Sequence, residues 1–150
     1  MKKIIIYGLI AIVVIFVFIQ LIPYGKDHIN PPVVQEPNWD SPQTREMAQQ
    51  ACFDCHSNET TWPWYSNIAP VSWMVYQDTI EGRETLNFSE WSPGRYAEAG
   101  EEAMEVVLEG QMPPAKYLPT HPEARLTQAE RQLLADGLAR SLGGGKELGD

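Results

Sequence analysis

The only two cysteines of the 150-residue chain lie beside a histidine in the segment Cys52-Phe53-Asp54-Cys55-His56. This Cys-x-x-Cys-His pattern is the attachment sequence of a c-type haem, in which each thiol adds to one vinyl group of the porphyrin. One helical turn points both sulfurs toward the same face, and His56 follows as the proximal ligand of the iron. The pattern therefore predicts one covalent haem c, bound by Cys52, Cys55 and His56.

Three other interpretations of the pattern are weaker but stay open. A thioredoxin-like redox pair needs a preceding strand and a βαβ unit, and the sequence indicates neither. A structural zinc site needs four ligands, and only His28 and His121 remain to complete one. A simple disulfide is compatible with an oxidising compartment.

The second axial ligand of the iron is sought among the five methionines and His121. Met47 precedes the haem motif on its own helix, and Met74 and Met104 fall in helical segments where methionine usually fills a core. Met112 follows a helix in the segment Gly110-Gln111-Met112-Pro113-Pro114, where two prolines stiffen the backbone. A rigid loop that presents a thioether to iron is what a His/Met haem requires, so Met112 is the predicted sixth ligand and His121 is the second choice.

An apolar segment near the N-terminus precedes all of the predicted haem-binding residues. Residues 4–22 are apolar except for Gly8 and Gln20, and Lys2 and Lys3 come before them. At ~1.5 Å per residue the run spans about 28 Å, close to the hydrocarbon thickness of a bilayer, and the lysines favour the cytoplasmic side. We predict an uncleaved, single-pass anchor at residues 1–22 of the inner membrane, with the haem domain in the periplasm or on the outer face. A cleaved signal peptide and a buried core helix are the alternatives.

Residues 23–40 carry four prolines with polar residues between them, which predicts an extended tether. Residues 41–150 then form one small domain, and no segment alternates with the period of a strand. The predicted fold is all-α. Cap residues and prolines place the four helix starts at Ser41-Pro42, at Ala69-Pro70, at Ser92-Pro93, and at Thr127, where Glu130 completes a capping box.

The net charge of the chain is −9, and without Lys2 and Lys3 the remainder has 9 basic residues against 20 acidic ones, a charge of −11. Such a surface makes nucleic acid an unsuitable partner. Glutamates crowd the segment before Met112, at positions 98, 101, 102, 105 and 109. We expect redox protein partners with a basic docking surface, although the glutamates also fit a solvated helix face.

The order of Cys-x-x-Cys-His, helices, Met-Pro-Pro and terminal helix resembles class I c-type cytochromes, and the chain more closely resembles the bacterial membrane-anchored haem-binding domain family. The residues that carry this resemblance are 52–58, 61–65 (Thr-Trp-Pro-Trp-Tyr), 68–73, 81–83, 86–89, Trp91, 112–114, Tyr117 and 121–122. The resemblance implies a small cytochrome c-like domain around a covalent haem and supports Met112, but it implies no reaction. Trp62, Trp64 and Trp73 are expected against the porphyrin or in the core, and Arg83 at a haem propionate or in a surface ion pair.

Two classes of function follow. A haem iron whose six ligand positions are all filled is closed to substrates, which is typical of an electron carrier rather than an enzyme. A haem sensor or a small peroxidase-like enzyme needs a labile sixth ligand. Structural haem binding or haem delivery within a larger complex is a third interpretation. We favour the carrier, because no histidine or arginine is obviously placed for distal acid–base chemistry.

Overall fold

A computed structural model describes residues 1–92, 94–96 and 98–143. The helices are α1 (Lys2–Ile19), α2 (Pro42–Ala51), α3 (Phe53–His56), α4 (Val71–Thr85), α5 (Ala99–Leu108) and α6 (Gln128–Leu142), with short 3₁₀ turns at Trp64–Asn67 and Pro122–Ala124. The described residues form no strand and only one isolated β-bridge, between Gln35 and Glu90. The predicted all-α fold is confirmed.

Helix α1 stands apart from the core. None of its residues is buried, and it is long and apolar enough to cross a membrane. A helix that exposes apolar side chains on every face suits lipid better than water.

Two helix starts follow from local capping signals, as the sequence predicts. The Ser41 side chain accepts a hydrogen bond from the Thr44 N–H at the start of α2. At the start of α6, Thr127 and Glu130 form a reciprocal capping box. Each such cap contributes about 1 kcal/mol, because it satisfies backbone N–H groups that have no partner inside the helix.

The predicted start of the third helix at Ser92-Pro93 is wrong. Helix α5 begins at Ala99, and Pro93 itself lies outside the described residues. The buried rings of Trp91 and Tyr96 stack with centroids 5.4 Å apart. Residues five apart point to different sides of an α-helix, so this stacking requires a non-helical turn before α5. Helix α5 ends at Leu108, and Gly110, two residues later, has a φ of 74°.

Helix α4 does not bury the apolar residues of its first turns. Val71 and Met74 are exposed, whereas Ser72 and Thr79 are buried. The inward face is therefore lined by small polar side chains, which let α4 approach its neighbours closely.

The core lies between α2, α3, α5, α6 and the loop that precedes α5. Its largest buried side chains are Phe53, Phe88, Leu134, Leu138 and Leu142, and the rings of Phe53 and Phe88 stack 5.5 Å apart. The core therefore reaches directly beneath the Cys-x-x-Cys-His segment, since Phe53 is part of it.

The extended segment 23–40 lies along the surface of the domain. The Val34 N–H donates to the Ser89 carbonyl oxygen, and the Trp91 N–H donates to the Gln35 carbonyl oxygen. Glu36 forms an ion pair with Arg45 of α2. The backbone is extended, as the prolines predict, but its contacts make it a strap along the domain. The domain boundaries themselves stay a prediction.

Candidate haem site

The two cysteines and His56 lie in one turn at the junction of α2 and α3. Cys52 lies between the two helices, as the C-cap residue of α2 and the N-cap residue of α3. The N–H groups of Cys55 and His56 both donate to the Cys52 carbonyl oxygen, at 3.2 and 2.9 Å. The turn therefore brings the three residues together locally, as their spacing predicts. Their roles as haem-attachment and iron-ligating residues stay predictions.

A backbone carbonyl orients the imidazole of His56. His56 Nδ1 lies 3.0 Å from the carbonyl oxygen of Leu86. A carbonyl oxygen only accepts, so Nδ1 carries the proton and Nε2 keeps its lone pair. Burial lowers the pKa of His56, although its hydrogen bond to Leu86 opposes that effect. A neutral imidazole held by its other ring nitrogen is the form that ligates a metal ion.

The two thiols differ from those of a redox-active pair. Burial raises the pKa of the Cys52 thiol to about 12. Burial, with a smaller effect of the Asp78 charge, raises the pKa of Cys55 to about 11. Thioredoxin-like pairs instead depend on a thiol with a lowered pKa, so the electrostatics of this turn disfavour that alternative.

Helix α4 packs closely against the Cys-x-x-Cys-His turn at Gly82. A Cβ atom at Gly82 would collide with the carbonyl oxygen of Cys55, whose carbonyl carbon would lie 2.9 Å away. Only glycine therefore allows α4 to approach the backbone of the haem motif at this point.

Arg83 clamps the haem motif to the strap. Its guanidinium donates to the carbonyl oxygens of Ser57 and Ile29 and to the side-chain oxygens of Asn30 and Thr60. Four of its five N–H groups are thus used within the protein. Arg83 makes no ion pair within the described residues, so the expectation of a surface ion pair is wrong, and a contact with a haem propionate stays a prediction.

Met112 lies in a loop that α5 and α6 hold in place. Its N–H donates to the Val106 carbonyl oxygen at 3.0 Å. Arg131 of α6 donates to the carbonyl oxygens of Val107 and Met112, at 2.7 and 3.2 Å. The Met112 side chain is partly buried against the same core as Cys52. The loop is held on both sides, and iron ligation by Met112 stays a prediction.

The other candidate ligands have different surroundings. Met104 is partly buried against the core, as expected, and so is Met47. Met74 is exposed, so the expectation that it fills the core is wrong. The ring of His121 stacks on Tyr117 with centroids 3.7 Å apart. His121 Nδ1 lies 3.1 Å from the Tyr117 carbonyl oxygen, and its Nε2 lies 3.8 Å from Asp54 Oδ2. Both ring nitrogens of His121 therefore face protein oxygens.

A cluster that the sequence did not reveal joins the haem motif to this loop. The Tyr117 hydroxyl donates to Asp54 Oδ2 at 2.7 Å, and the Thr61 N–H donates to Asp54 Oδ1 at 2.8 Å. Burial and the hydrogen bond to Asp54 raise the pKa of Tyr117. The cluster lines a cleft of about 460 Å³ together with Glu46, His121 and Glu123. The spacing of Tyr117 and His121, four residues apart, was the only sequence signal for it.

Two tryptophans near the site have indole N–H groups without a partner. The Nε1 atoms of Trp62 and Trp73 are buried without a hydrogen bond in the described part of the chain. Trp73 lines a second cleft of about 430 Å³ together with Met74 and Lys116. Buried donors of this kind suit the carboxylate oxygens of haem propionates. Trp64 is exposed, so the expectation that it packs in the core is wrong.

The site therefore combines two thiols, an oriented neutral imidazole and unpaired donors. A family model described as a haem-binding domain matches residues 14–140. The chain belongs to this haem-binding domain family. No curated protein and no solved structure gives a significant match. The residues of this haem-binding domain fit a haem, because the Nδ1 contact with Leu86 leaves the lone pair on Nε2 of His56, in the same turn as Cys52 and Cys55.

Proposed function

We propose that this haem-binding domain is a c-type cytochrome that carries electrons between redox partners at a membrane. Cys52 and Cys55 would hold one haem covalently, and His56 and Met112 would supply the two protein ligands of its iron. The observation that carries the proposal is the hydrogen bond from His56 Nδ1 to the Leu86 carbonyl oxygen, which leaves Nε2 free within the Cys-x-x-Cys-His turn. Haem iron, when bound, accepts and returns a single electron.

The chain contributes position and a rigid environment. Gly82 and Arg83 fix the turn from α4, and Arg131 fixes the loop of Met112. A site held on rigid elements reorganises little when its charge changes, which favours electron transfer without ligand exchange. Thioether ligation by Met112 would raise the reduction potential. This arrangement supports a carrier rather than an enzyme.

Helix α1 anchors the protein in this proposal. Its length and composition suit a membrane span, and Lys2 and Lys3 favour a cytoplasmic N-terminus. The haem domain then lies in the periplasm or on the outer face, where a covalent c-type haem is formed. Protease added to spheroplasts should digest the haem domain, and the mature chain should begin at or near Met1.

The acidic face of α5 supports a partner of opposite charge. Its glutamates are exposed at positions 98, 101, 102, 105 and 109, and none forms an ion pair in the part of the chain that the structure describes. Unpaired charge of one sign steers the approach of a basic protein. The α5 segment leads directly into the Met112 loop, so docking there would bring a partner toward the site.

Two measurements test the proposal. A haem-stained band should survive on a denaturing gel of protein made with a cytochrome c maturation system, and haem extracted by acidified organic solvent would contradict covalent attachment. Ferric protein should show the near-infrared charge-transfer band of a sulfur–iron bond. Met112→Ala should abolish that band while haem stays attached, and Met104→Ala is the matched control.

A sensor or peroxidase-like enzyme remains the alternative. Its sixth ligand must leave readily, so ferrous wild-type protein would bind carbon monoxide as fast as the Met112→Ala variant. Slow or absent binding in wild-type protein, with fast binding in the variant, would support the carrier.

A further inference from the structure

The end of α1 is joined directly to the domain at the loop before α4. The Gln20 side chain donates to the Ala69 carbonyl oxygen at 2.9 Å and accepts from the Ala69 N–H at 3.0 Å. Lys26 donates to the Gln20 carbonyl oxygen. A side-chain amide that satisfies both backbone groups of a buried residue fixes that residue beside it. Ala69 is therefore held level with Gln20.

A second set of contacts extends this junction. Gly25 has a φ of 74°, and a Cβ atom there would lie 2.7 Å from the Ser72 carbonyl oxygen. The rings of Tyr24 and Tyr76 meet edge to face with centroids 5.3 Å apart. The Tyr24 hydroxyl donates to the Gln77 side chain. The chain after α1 thus packs against two turns of α4, and the domain does not swing freely at the end of its anchor.

The junction between α1 and the domain sets the depth of Ala69 relative to the bilayer. Helix α1 has 18 residues, which span about 27 Å at ~1.5 Å per residue, close to the hydrocarbon thickness of about 30 Å. Gln20 directly follows its last residue. If α1 spans the bilayer, Gln20 lies at the boundary of the hydrocarbon, and Ala69 lies at that boundary with it.

The segment that contains Ala69 exposes apolar side chains and has no charged residue of its own, and the nearest cation that the contacts show is Lys26, which bonds to Gln20. Trp64, Ile68 and Val71 are 75, 36 and 40% exposed, and we call these three residues the interfacial face. Residues 60–77 contain no Asp, Glu, Lys or Arg in a chain that is 21% charged. Tryptophan and tyrosine are enriched at membrane–water interfaces, where their rings lie at headgroup level.

We propose that the interfacial face contacts the lipid surface of the bilayer that α1 spans. Lipid is the occupant because the Gln20–Ala69 pairing places the face at the point where α1 leaves the membrane. This inference rests on the anchoring role of α1 that is part of the proposed function. It explains why Val71, at the start of α4, is exposed. Gly82, where α4 meets Cys55, lies eleven residues beyond Val71, about 17 Å along the helix axis, so the haem turn stands at a fixed distance from the lipid contact.

Photolabelling of the full-length holoprotein tests the proposal. The protein is placed in phosphatidylcholine nanodiscs that include a phosphatidylcholine with a diazirine near the ester end of one acyl chain. After illumination, mass spectrometry locates lipid adducts on proteolytic peptides. We expect adducts on α1 and on residues 64–71. Val71→Glu should reduce the adducts on residues 64–71 several-fold. Leu133→Glu, at an α6 position that is likewise 40% exposed, should leave them unchanged.

The outcomes separate this inference from the proposed anchor. Adducts on α1 without adducts on residues 64–71 would overturn the lipid contact and leave the anchor intact. A lack of adducts on α1 would overturn both. Equal labelling of residues 64–71 and of the α6 peptide with Leu133 would indicate non-specific adsorption and would also overturn the contact.

Discussion

Replacing Gly82 with alanine should destabilise the domain, although glycine is a poor helix former. At an exposed position inside a helix, replacing glycine with alanine stabilises the folded state by about 1 kcal/mol. At Gly82 the added Cβ atom would collide with the Cys55 carbonyl group. Overpacking of this kind costs about 1–3 kcal/mol. We expect a cost of about 3 kcal/mol, because the obstructing group is a backbone carbonyl that moves less easily than a side chain. We expect a net loss of about 2 kcal/mol, or on the order of 8 °C in Tm.

Thermal unfolding of the full-length holoprotein, followed by far-ultraviolet circular dichroism, measures this effect. Glu84→Ala, at an exposed position of the same helix, is the control and should stay within about 0.5 kcal/mol of wild type. The haem turn should also shift, so the near-infrared band of the ferric Gly82→Ala variant should weaken. A Tm equal to or above that of wild type would refute the idea that α4 touches the haem motif through its backbone.

Three further predictions concern the strap and the surface charge. Arg83→Ala should cost about 2–3 kcal/mol of unfolding free energy, because it removes charged hydrogen bonds between the strap and the haem motif, whereas Arg125→Ala, at an exposed arginine, should cost less than about 0.5 kcal/mol. The hydrogen bond from Arg45 lowers the pKa of Glu36. The Glu36–Arg45 pair therefore stabilises the fold fully above the ordinary glutamate pKa, and this stabilisation is lost as pH falls through the lowered pKa. Glu36→Gln should make Tm less dependent on pH in the acid range, and an unchanged dependence would contradict this. Electron transfer with a basic redox protein should slow as salt rises, since screening acts over a Debye length of about 8 Å at physiological ionic strength, and a rate independent of salt would contradict steering by the acidic face.

Local signals in the sequence were sufficient for much of the architecture. The Cys-x-x-Cys-His turn needs only five consecutive residues, and the fold does hold its two cysteines and His56 in one turn. The starts of α2 and α6 depend on Ser41 and Thr127, whose side chains bond to N–H groups three residues away. Interactions of this range are encoded by residue type and spacing alone.

Tertiary packing decided the features that the sequence analysis missed. The late start of α5 accompanies the burial of the Trp91–Tyr96 stack in the core, and α4 buries Ser72 and Thr79 while Val71 and Met74 stay exposed. Which side chains become buried depends on the elements that pack against them, and no local pattern names those elements.

The sequence by itself determined the chemistry of this protein: two thiols and an imidazole at haem spacing, an apolar segment of membrane length and an all-α domain. Only the tertiary structure decided how that chemistry is supported. The orientation of His56 depends on the Leu86 carbonyl oxygen, 30 residues away, and the placement of the domain on α1 depends on the backbone of Ala69. Backbone carbonyl and N–H groups are the same in nearly every residue, so a sequence does not indicate which of them a distant side chain will meet.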